Sequence, residues 1–237
     1  LPFSLTSAQE KAVTTIDQDL RSTLRMNRLL QGDVGSGKTI VAVISMLTVV
    51  EVGGQTALLA PTEILAIQHF NSINSFLKSM NISVVLLTGR DKGKSRHSKL
   101  DEIQNGRAQI VVGTHALFQE NVIFKNLIFA VIDEQHRFGV QQRMALAQKG
   151  INVDVLVMTA TPIPRSLSLT YYGDMDISLL DEKPKNRKPI TTAVMSDSKL
   201  EKIFHRLDIS LNAGRRVYWV CPLIEDSDVL QITSAEL

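Results

Sequence analysis

Short apolar runs recur along the chain at a regular interval, and polar segments of helical length separate most of them. The runs are NRLLQG (27–32), TALLAP (56–61), SVVLLTG (83–89), AQIVVGT (108–114), LIFAVIDE (127–134) and DVLVMTAT (154–161). Each is almost continuously hydrophobic, which is typical of strands covered by helices on both faces. Strands that alternate with helices predict an α/β fold of three layers, built on a mainly parallel, doubly wound sheet.

Helices are expected in the segments between these runs, at 38–52, 63–78, 95–105 and 140–149. A first helix is expected from Ser7 to about Leu20, because Ser7 and Glu10 have the spacing of a capping box. In a parallel sheet the ligand lies beyond the carboxyl ends of the strands. The polar motifs follow the strands, so the pattern places a functional site at that edge.

The length of the chain allows one α/β domain and part of another. We expect a first lobe over 1–182, a linker rich in Lys and Pro over 183–189, and the start of a second lobe over 190–237. A helix around 199–211 and a strand in RRVYWVCPL (215–223) would open that second lobe. The first residue is Leu and not Met, which suggests part of a longer protein.

Composition and charge limit the function classes only loosely. The formal net charge of +2 neither suggests nor excludes a polyanionic partner. The single cysteine, Cys221, excludes an intrachain disulfide and is typical of a reducing compartment. The apolar run 40–50 is shorter than the roughly 20 residues that span a bilayer, and the N-terminus lacks the pattern of a signal peptide. We therefore expect a cytoplasmic protein with no membrane partner.

The segment GDVGSGKT (32–39) matches the pattern GxxxxGK[ST] between an apolar strand and an apolar helix. Glycines let the chain curl so that backbone amides point at a polyphosphate, and the helix adds its positive N-terminal end. In this pattern Lys38 reaches the β- and γ-phosphates, and the hydroxyl of Thr39 ligates Mg²⁺. The predicted nucleotide-binding residues are Gly32, Asp33, Val34, Gly35, Ser36, Gly37, Lys38 and Thr39.

An acidic pair ends the apolar run FAVIDE. A phosphate-bound Mg²⁺ needs a second protein anchor, and an Asp at the end of a neighbouring strand supplies it, so Asp133 is the predicted anchor. Glu134 could accept a proton from the water that attacks the γ-phosphate. Adjacent carboxylates repel each other, and a metal ion lets both stay ionised.

Taken together, GDVGSGKT, VIDEQHRFG and VMTATPIPR resemble the Walker A, DExH and TAT motifs of superfamily 2 helicases. GTHAL, ATPIPR, LPFSLTSAQ and LLAPTEILAIQHF make the chain similar, over essentially its whole length, to the RecG type of branched-DNA helicases. The resemblance implies a recA-like P-loop fold with ATP and Mg²⁺ as cofactors. It also implies the motor of an ATP-dependent DNA helicase that acts on branched or double-stranded DNA, at stalled forks and Holliday junctions, in repair and recombination.

The resemblance also assigns roles to further residues. Phe3 and Gln9 match the segment that contacts adenine, and Gln135 and His136 match the positions that link the γ-phosphate to the next motif. The predicted set for nucleic-acid contact and for coupling hydrolysis to movement consists of Pro61, Thr62, Glu63, Gln68, Thr88, Gly89, Gly113, Thr114, His115, Thr159, Ala160, Thr161 and Arg165. Several of these offer hydroxyls, free amides or a helix start, which hold phosphates without reading bases.

The sequence departs from the full pattern of the family in two respects. It contains no QxxGRxGR-like segment, from which a second recA-like lobe supplies arginines that stabilise the transferring phosphoryl group. It also contains no junction-binding wedge. We expect this chain by itself to bind nucleotide with Mg²⁺, to hydrolyse it weakly and not to unwind forks. It would work as a monomer together with that lobe and wedge of the same protein.

Other interpretations stay open at this point. A transcription–repair coupling translocase ranks lower, because such proteins more often carry Glu where this chain has Gln135, and an RNA helicase ranks lower still. A non-motor P-loop switch would need Lys38 and Asp133 but not Glu134. A simple nucleic-acid binding module would use the basic segments 89–99 and 182–189 and would not need Lys38. His69, His97, His115 and His205 lack the spacing of metal ligands, so no zinc site is expected.

Overall fold

The computed structural model describes residues 3–133, 146, 149–161, 175–182 and 190–220. The chain divides into two compact units, Leu1–Arg187 and Lys188–Leu237. The predicted linker at 183–189 lies outside the described residues. Within the described part of the chain, no helix has the length and apolar character needed to cross a membrane.

One seven-stranded sheet organises the first unit, in the order β3-β4-β2-β5-β6-β1-β7. All its neighbouring strands pair in parallel. The predicted class, α/β with a parallel doubly wound sheet, is confirmed. The strands are β1 (Asn27–Gly32), β2 (Gln55–Leu59), β3 (Val84–Leu87), β4 (Ile110–Gly113), β5 (Leu127–Asp133), β6 (Asp154–Thr159) and β7 (Asp176–Leu180).

The strand β7 was not predicted from the sequence. Only two of its five residues are buried, Ser178 and Leu180, because it lies at the edge of the sheet and pairs on one side with β1. An edge strand of this kind does not show the continuous apolar run that identifies the central strands.

Four helices of the first unit fall close to their predicted positions: α1 (Ser7–Leu20), α2 (Lys38–Glu51), α3 (Glu63–Leu77) and α4 (Gly93–Gln104). The predicted capping box of α1 was wrong by one residue. Thr6 is the N-cap, its hydroxyl accepts from the Gln9 amide at 3.3 Å, and Gln9 Oε1 accepts from the Thr6 amide at 2.9 Å. The predicted helix at 140–149 lies mostly outside the described residues.

The sheet separates two hydrophobic cores, since successive side chains of a strand point to opposite faces. In β5, Phe129 and Val131 face the core that α1, α2 and α3 cover, whereas Ala130 and Ile132 face the core that contains Ile103 of α4. Burying each large aliphatic side chain contributes about 1.5–3 kcal/mol. The alternation also predicts the direction of Asp133, which shares the face of Phe129 and Val131.

The second unit contains the predicted helix, α5 (Leu200–Asn212), directly after a 3₁₀ turn at Asp197–Lys199. Phe204 of α5 lies against Trp219, with ring centroids 5.3 Å apart. The predicted strand at 215–223 was wrong for residues 215–220, which form no strand. A strand needs a neighbour for its backbone hydrogen bonds, and the described residues of this unit include none.

Candidate nucleotide and nucleic-acid site

The carboxyl ends of all seven strands meet at one edge of the sheet, and the predicted site residues follow them in a definite order. The order of the strands fixes the order of the motifs along this edge. Thr88 and Gly89 follow β3, Gly113 and Thr114 lie at the end of β4, and Pro61 and Thr62 follow β2. Asp133 ends β5, Thr159 ends β6, and the predicted phosphate loop (32–39) follows β1. Most of the residues predicted to contact nucleic acid thus occupy the β3-β4-β2 half, which we call the nucleic-acid half, whereas Thr159 lies at β6. The predicted phosphate and metal residues occupy the β5-β6-β1 half.

The phosphate loop curls between β1 and α2 through two glycines with left-handed backbone conformation, Gly35 at φ 76° and Gly37 at φ 89°. Lys38 folds back over the loop, and its Nζ donates to the carbonyl oxygens of Gly32 at 2.7 Å and Asp33 at 3.2 Å. A bound phosphate would replace these carbonyls as the acceptor. Thr39 lies half-buried in the first turn of α2.

Gln9 supports the loop from α1. It is buried, and its Nε2 donates to the carbonyl oxygen of Ser36 at 2.7 Å. A Cβ added at Gly37 would collide with the Gln9 amide. Phe3, the other residue matched to adenine contact, is about half exposed and its ring packs edge-on against Phe76 of α3, with centroids 6.4 Å apart.

Asp133 ends β5 and is 8% exposed. Its Oδ2 lies 2.8 Å from Nε2 of His69, which is buried on α3. An ionised carboxylate only accepts hydrogen bonds, so Nε2 donates. Strands are spaced about 4.8 Å apart. Asp133 is therefore roughly 10 Å along the edge from the end of β1, with β6 between them.

The donor set at this edge fits Mg²⁺. The Thr39 hydroxyl and the Asp133 carboxylate are hard oxygen ligands, which Mg²⁺ prefers, and it keeps water and phosphate oxygens in its other positions. Among the described residues, no group of three or more His, Cys, Asp and Glu side chains could hold a metal ion by itself. A magnesium ion here would therefore depend on the nucleotide phosphates as well as on the protein.

A helix cap and an ion pair stabilise the nucleic-acid half of the edge. Thr62 caps α3 by accepting from the Leu65 amide at 3.3 Å, and Glu63 pairs with Arg90 at 2.7 Å, which joins α3 to the turn after β3. Gln68, further along α3, is exposed. The Thr114 hydroxyl is buried and has no hydrogen-bond partner among the described residues, while His115 beside it is exposed.

The turn after β3 is organised by Asp91, a residue that the sequence patterns did not single out. Its carboxylate accepts from the Thr88 amide at 2.8 Å and pairs with Lys99 at 2.5 Å. Burial raises the pKa of the Asp91 carboxyl. Lys99, the Thr88 amide and the positive charge of Arg96 outweigh burial, so the pKa lies below its ordinary value. The Asp91 carboxylate thus holds the start of the basic segment 89–99 in place through the Thr88 amide and Lys99.

The residues after β6 form a compact turn. Thr159 is buried and its Oγ1 lies 2.8 Å from the Oγ1 of Thr161, whose amide also donates to Thr159 Oγ1 at 3.2 Å. Ala160, between them, lines a pocket of about 290 Å³ beside the phosphate loop. Asp181 and Glu182 also line this pocket, and their negative charge disfavours phosphate groups there. The loop amides are the better position for the phosphates.

Four predicted site residues lie outside the described residues: Glu134, Gln135, His136 and Arg165. Conversely, the structure brings in His69, which was not predicted as a site residue. A signal for it exists in the sequence. The buried positions of α3 are Ala66, His69, Ile73 and Leu77, and a polar side chain within an apolar helix stripe requires a buried partner.

Comparison with known proteins identifies close similarities. The DEAD/DEAH box helicase family model matches residues 6–169. The ATP-dependent DNA helicase RecG of Haemophilus influenzae is 51% identical over 241 residues, which cover 100% of this chain and 35% of that protein. RecG of Bacillus subtilis is 50% identical over 235 residues, covering 99% of this chain and 34% of the relative. The chain thus spans about a third of the length of these curated relatives.

Solved structures give the same result for the fold. A structure of RecG bound to a three-way DNA junction has a TM-score of 0.80 and 45% identity, and covers 90% of this chain and 29% of that one. Mss116p bound to single-stranded RNA and AMP-PNP has a TM-score of 0.62 at 18% identity, covering 89% of this chain and 48% of that one. The latter likeness shows the recA-like helicase fold alone.

Proposed function

Since the chain belongs to the DEAD/DEAH box helicase family, we propose that it is the ATP-binding part of a RecG-type DNA helicase that remodels branched DNA. The observation that carries this proposal is the order of residues along the sheet edge. The residues predicted to bind phosphate and metal follow β5, β6 and β1, and most of those predicted to contact the nucleic-acid backbone follow β3, β4 and β2. Identity of 51% to RecG of Haemophilus influenzae over the whole chain supports the same assignment.

In this proposal the phosphate loop binds the triphosphate of ATP. Its curled amides and the N-terminus of α2 provide positive potential, and Lys38 exchanges its backbone carbonyl partners for phosphate oxygens. Thr39 and Asp133 would hold Mg²⁺, and the ion would stabilise the negative charge of the phosphates. Glu134, next in the chain, would accept the proton of the attacking water.

The other half of the edge would hold the DNA backbone. Thr62 and Thr88 carry hydroxyl donors after β2 and β3, and the exposed side chain of Arg90 adds positive charge beside them, whereas the Thr114 hydroxyl after β4 is buried. The threonine groups lack the bidentate geometry with which proteins distinguish base edges, and the guanidinium of Arg90 is paired with Glu63. We therefore propose contacts to phosphates that are independent of sequence, with the preference for branched DNA supplied by other parts of the full-length protein. A monomeric motor and a cytoplasmic location belong to the same proposal.

The decisive experiment measures ATP hydrolysis by the full-length protein that carries this chain, with forked DNA, linear duplex DNA and RNA as activators. Forked DNA should stimulate turnover most and RNA least. A preference for RNA would favour an RNA helicase, and equal stimulation by forks and long linear duplexes would favour a translocase of the transcription–repair coupling type.

A second measurement separates a motor from a nucleotide switch. In a motor, Glu134→Gln should retain ATP affinity and lose turnover, because the substitution removes the proton acceptor and not the phosphate cradle. In a switch, the same variant should keep its response to a partner. Lost nucleotide binding in a folded Glu134→Gln protein would contradict the role assigned to Glu134.

A further inference from the structure

The hydrogen bond between His69 and Asp133 is the one described side-chain contact that joins the two halves of the edge through a predicted metal ligand. Nε2 of His69 and Oδ2 of Asp133 are 2.8 Å apart, and both residues are buried, at 8% exposure each. The pairing follows from the fold. Asp133 continues the face of Phe129 and Val131, and α3 covers that face with Ala66, Ile73 and Leu77.

The bond restricts the orientation in which the Asp133 carboxylate meets a cation. Nε2 donates to one lone pair of Oδ2, and a carboxylate has about four lone pairs, so Asp133 could hold His69 and Mg²⁺, or one of its waters, at the same time. Metal-ligating carboxylates are commonly fixed in this way by a hydrogen-bond donor that does not touch the metal. Without the donor, the carboxylate can rotate about its terminal torsion, because such sp³–sp² torsions are broad.

The position of His69 on α3 gives the bond a second consequence. The helix begins at Glu63, directly after Thr62, so its first turn lies at the nucleic-acid half of the edge. Thr62 and His69 are roughly 10 Å apart along the axis, at 1.5 Å per residue. Because α3 is one uninterrupted helix packed against the core, a displacement of its first turn would also displace His69. Asp133 belongs to the sheet, so the bond would lengthen, shorten or tilt.

We propose that His69 is a positioning residue that orients Asp133 for the magnesium–nucleotide complex and makes that orientation sensitive to nucleic acid at the start of α3. The inference rests on the proposed function, since it requires both a Mg²⁺-bound nucleotide and a bound DNA strand. It adds to that function a direct contact between the two halves of the edge. A purely structural role, in which His69 only fills a buried position, makes different predictions.

The test uses three variants of the full-length protein. His69→Leu places an apolar side chain at the buried position and removes the donor. His69→Gln restores an N–H at about the position of Nε2. His205→Leu makes the same substitution at an exposed position of α5 and serves as the matched control. For each variant, the affinity for a fluorescent ADP is titrated with Mg²⁺ and in EDTA, without DNA and with forked DNA, and a melting curve reports folding.

His69→Leu should raise the Mg²⁺ concentration for half-maximal nucleotide binding about tenfold, the usual minimum effect of losing a supporting partner at a metal site. Affinity in EDTA should not change, because the phosphate loop does not depend on Asp133. His69→Gln should recover most of the difference, and His205→Leu should match the wild type. In the wild type, forked DNA should alter the Mg²⁺ requirement, and in His69→Leu this effect should disappear.

Two results would overturn the inference while leaving the proposed function intact. One is a wild-type Mg²⁺ requirement in a folded His69→Leu protein. The other is an equal change in His69→Leu and His69→Gln together with equal losses of melting temperature, which would show that the site requires only the shape of histidine. If His69→Leu does not fold, His69→Gln decides: a Mg²⁺ requirement near that of the wild type supports the inference, and a large rise contradicts it. A wild-type protein without Mg²⁺-dependent nucleotide binding would overturn the proposed function itself.

Discussion

The carboxamide of Gln9 joins α1 to the phosphate loop, because its Nε2 donates to the carbonyl oxygen of Ser36 at 2.7 Å. The Oε1 of the same group accepts from the Thr6 amide at 2.9 Å. A carboxamide has two N–H groups and two lone pairs, so one donor and one acceptor remain available. Adenine presents a ring acceptor next to its exocyclic amine, so Gln9 could hold the loop and recognise the base at the same time.

We predict that Gln9→Ala weakens binding of Mg-ADP roughly ten- to a hundredfold, because a buried carbonyl that loses its donor costs about 1–3 kcal/mol. The preference for ADP over GDP should also fall, since the remaining donor and acceptor are lost with the side chain. Competition titrations against a fluorescent nucleotide measure both effects. Gln18→Ala, on the exposed face of the same helix, should change neither. Equal losses for ADP and GDP would show that Gln9 supports the loop without recognising adenine.

A second prediction compares two glycines with positive φ, Gly37 at 89° and Gly53 at 81°. Alanine is strained at both, at a cost of about 1 kcal/mol. At Gly53 nothing lies within 4 Å of the added Cβ, whereas at Gly37 it collides with the Gln9 amide. Gly37→Ala should therefore lose nucleotide binding and unfold at lower urea concentration than Gly53→Ala, which should bind nucleotide normally. Similar behaviour of the two variants would show that backbone strain alone, and not the contact with Gln9, makes Gly37 necessary.

A third prediction concerns Lys38, whose Nζ donates to two carbonyls of the loop. Lys38→Ala should lower ATP turnover in the full-length protein at least about a hundredfold, as is usual when a charged donor to the transferring group is removed. Binding to forked DNA without nucleotide should persist, and it should weaken with salt as in the wild type. Lys11→Ala, an exposed substitution on α1, is the control. Undiminished turnover in Lys38→Ala would contradict the phosphate role of the loop.

The parts of the site that could be predicted from the sequence are those that depend on local chain geometry. GDVGSGKT forms its loop from its own glycines and the following helix, and each polar motif lies at the end of an apolar strand. The pairing of His69 with Asp133 depends instead on β2 and β5 being neighbours, and strand order is not a local property. The capping box of Thr6 and Gln9 is itself local and was placed one residue too late, whereas the bond from Gln9 to the distant Ser36 is not a local property.

The last prediction concerns Asp154, at the start of β6 on the opposite edge of the sheet from the site. Burial raises the pKa of its carboxyl, and Asp19 adds to this, while the Met26 amide and Arg25 lower the pKa without cancelling the rise. The backbone N–H of Met26 donates to Asp154 Oδ1 at 2.6 Å. Between the ordinary pKa of an Asp, about 3.9, and the raised value, the folded state binds more protons than the unfolded state. The free energy of unfolding therefore falls as pH rises through this interval.

Asp154→Asn removes the ionisation and keeps a side-chain oxygen that can accept from Met26. We predict that the variant gains stability relative to the wild type as pH rises from about 4 towards neutral, measured as the difference between urea midpoints at each pH. Asp101→Asn, at an exposed position of α4, should show no such trend. A difference that stays constant with pH, or that reverses in favour of the wild type, would mean that the contacts of the ionised carboxylate outweigh its burial.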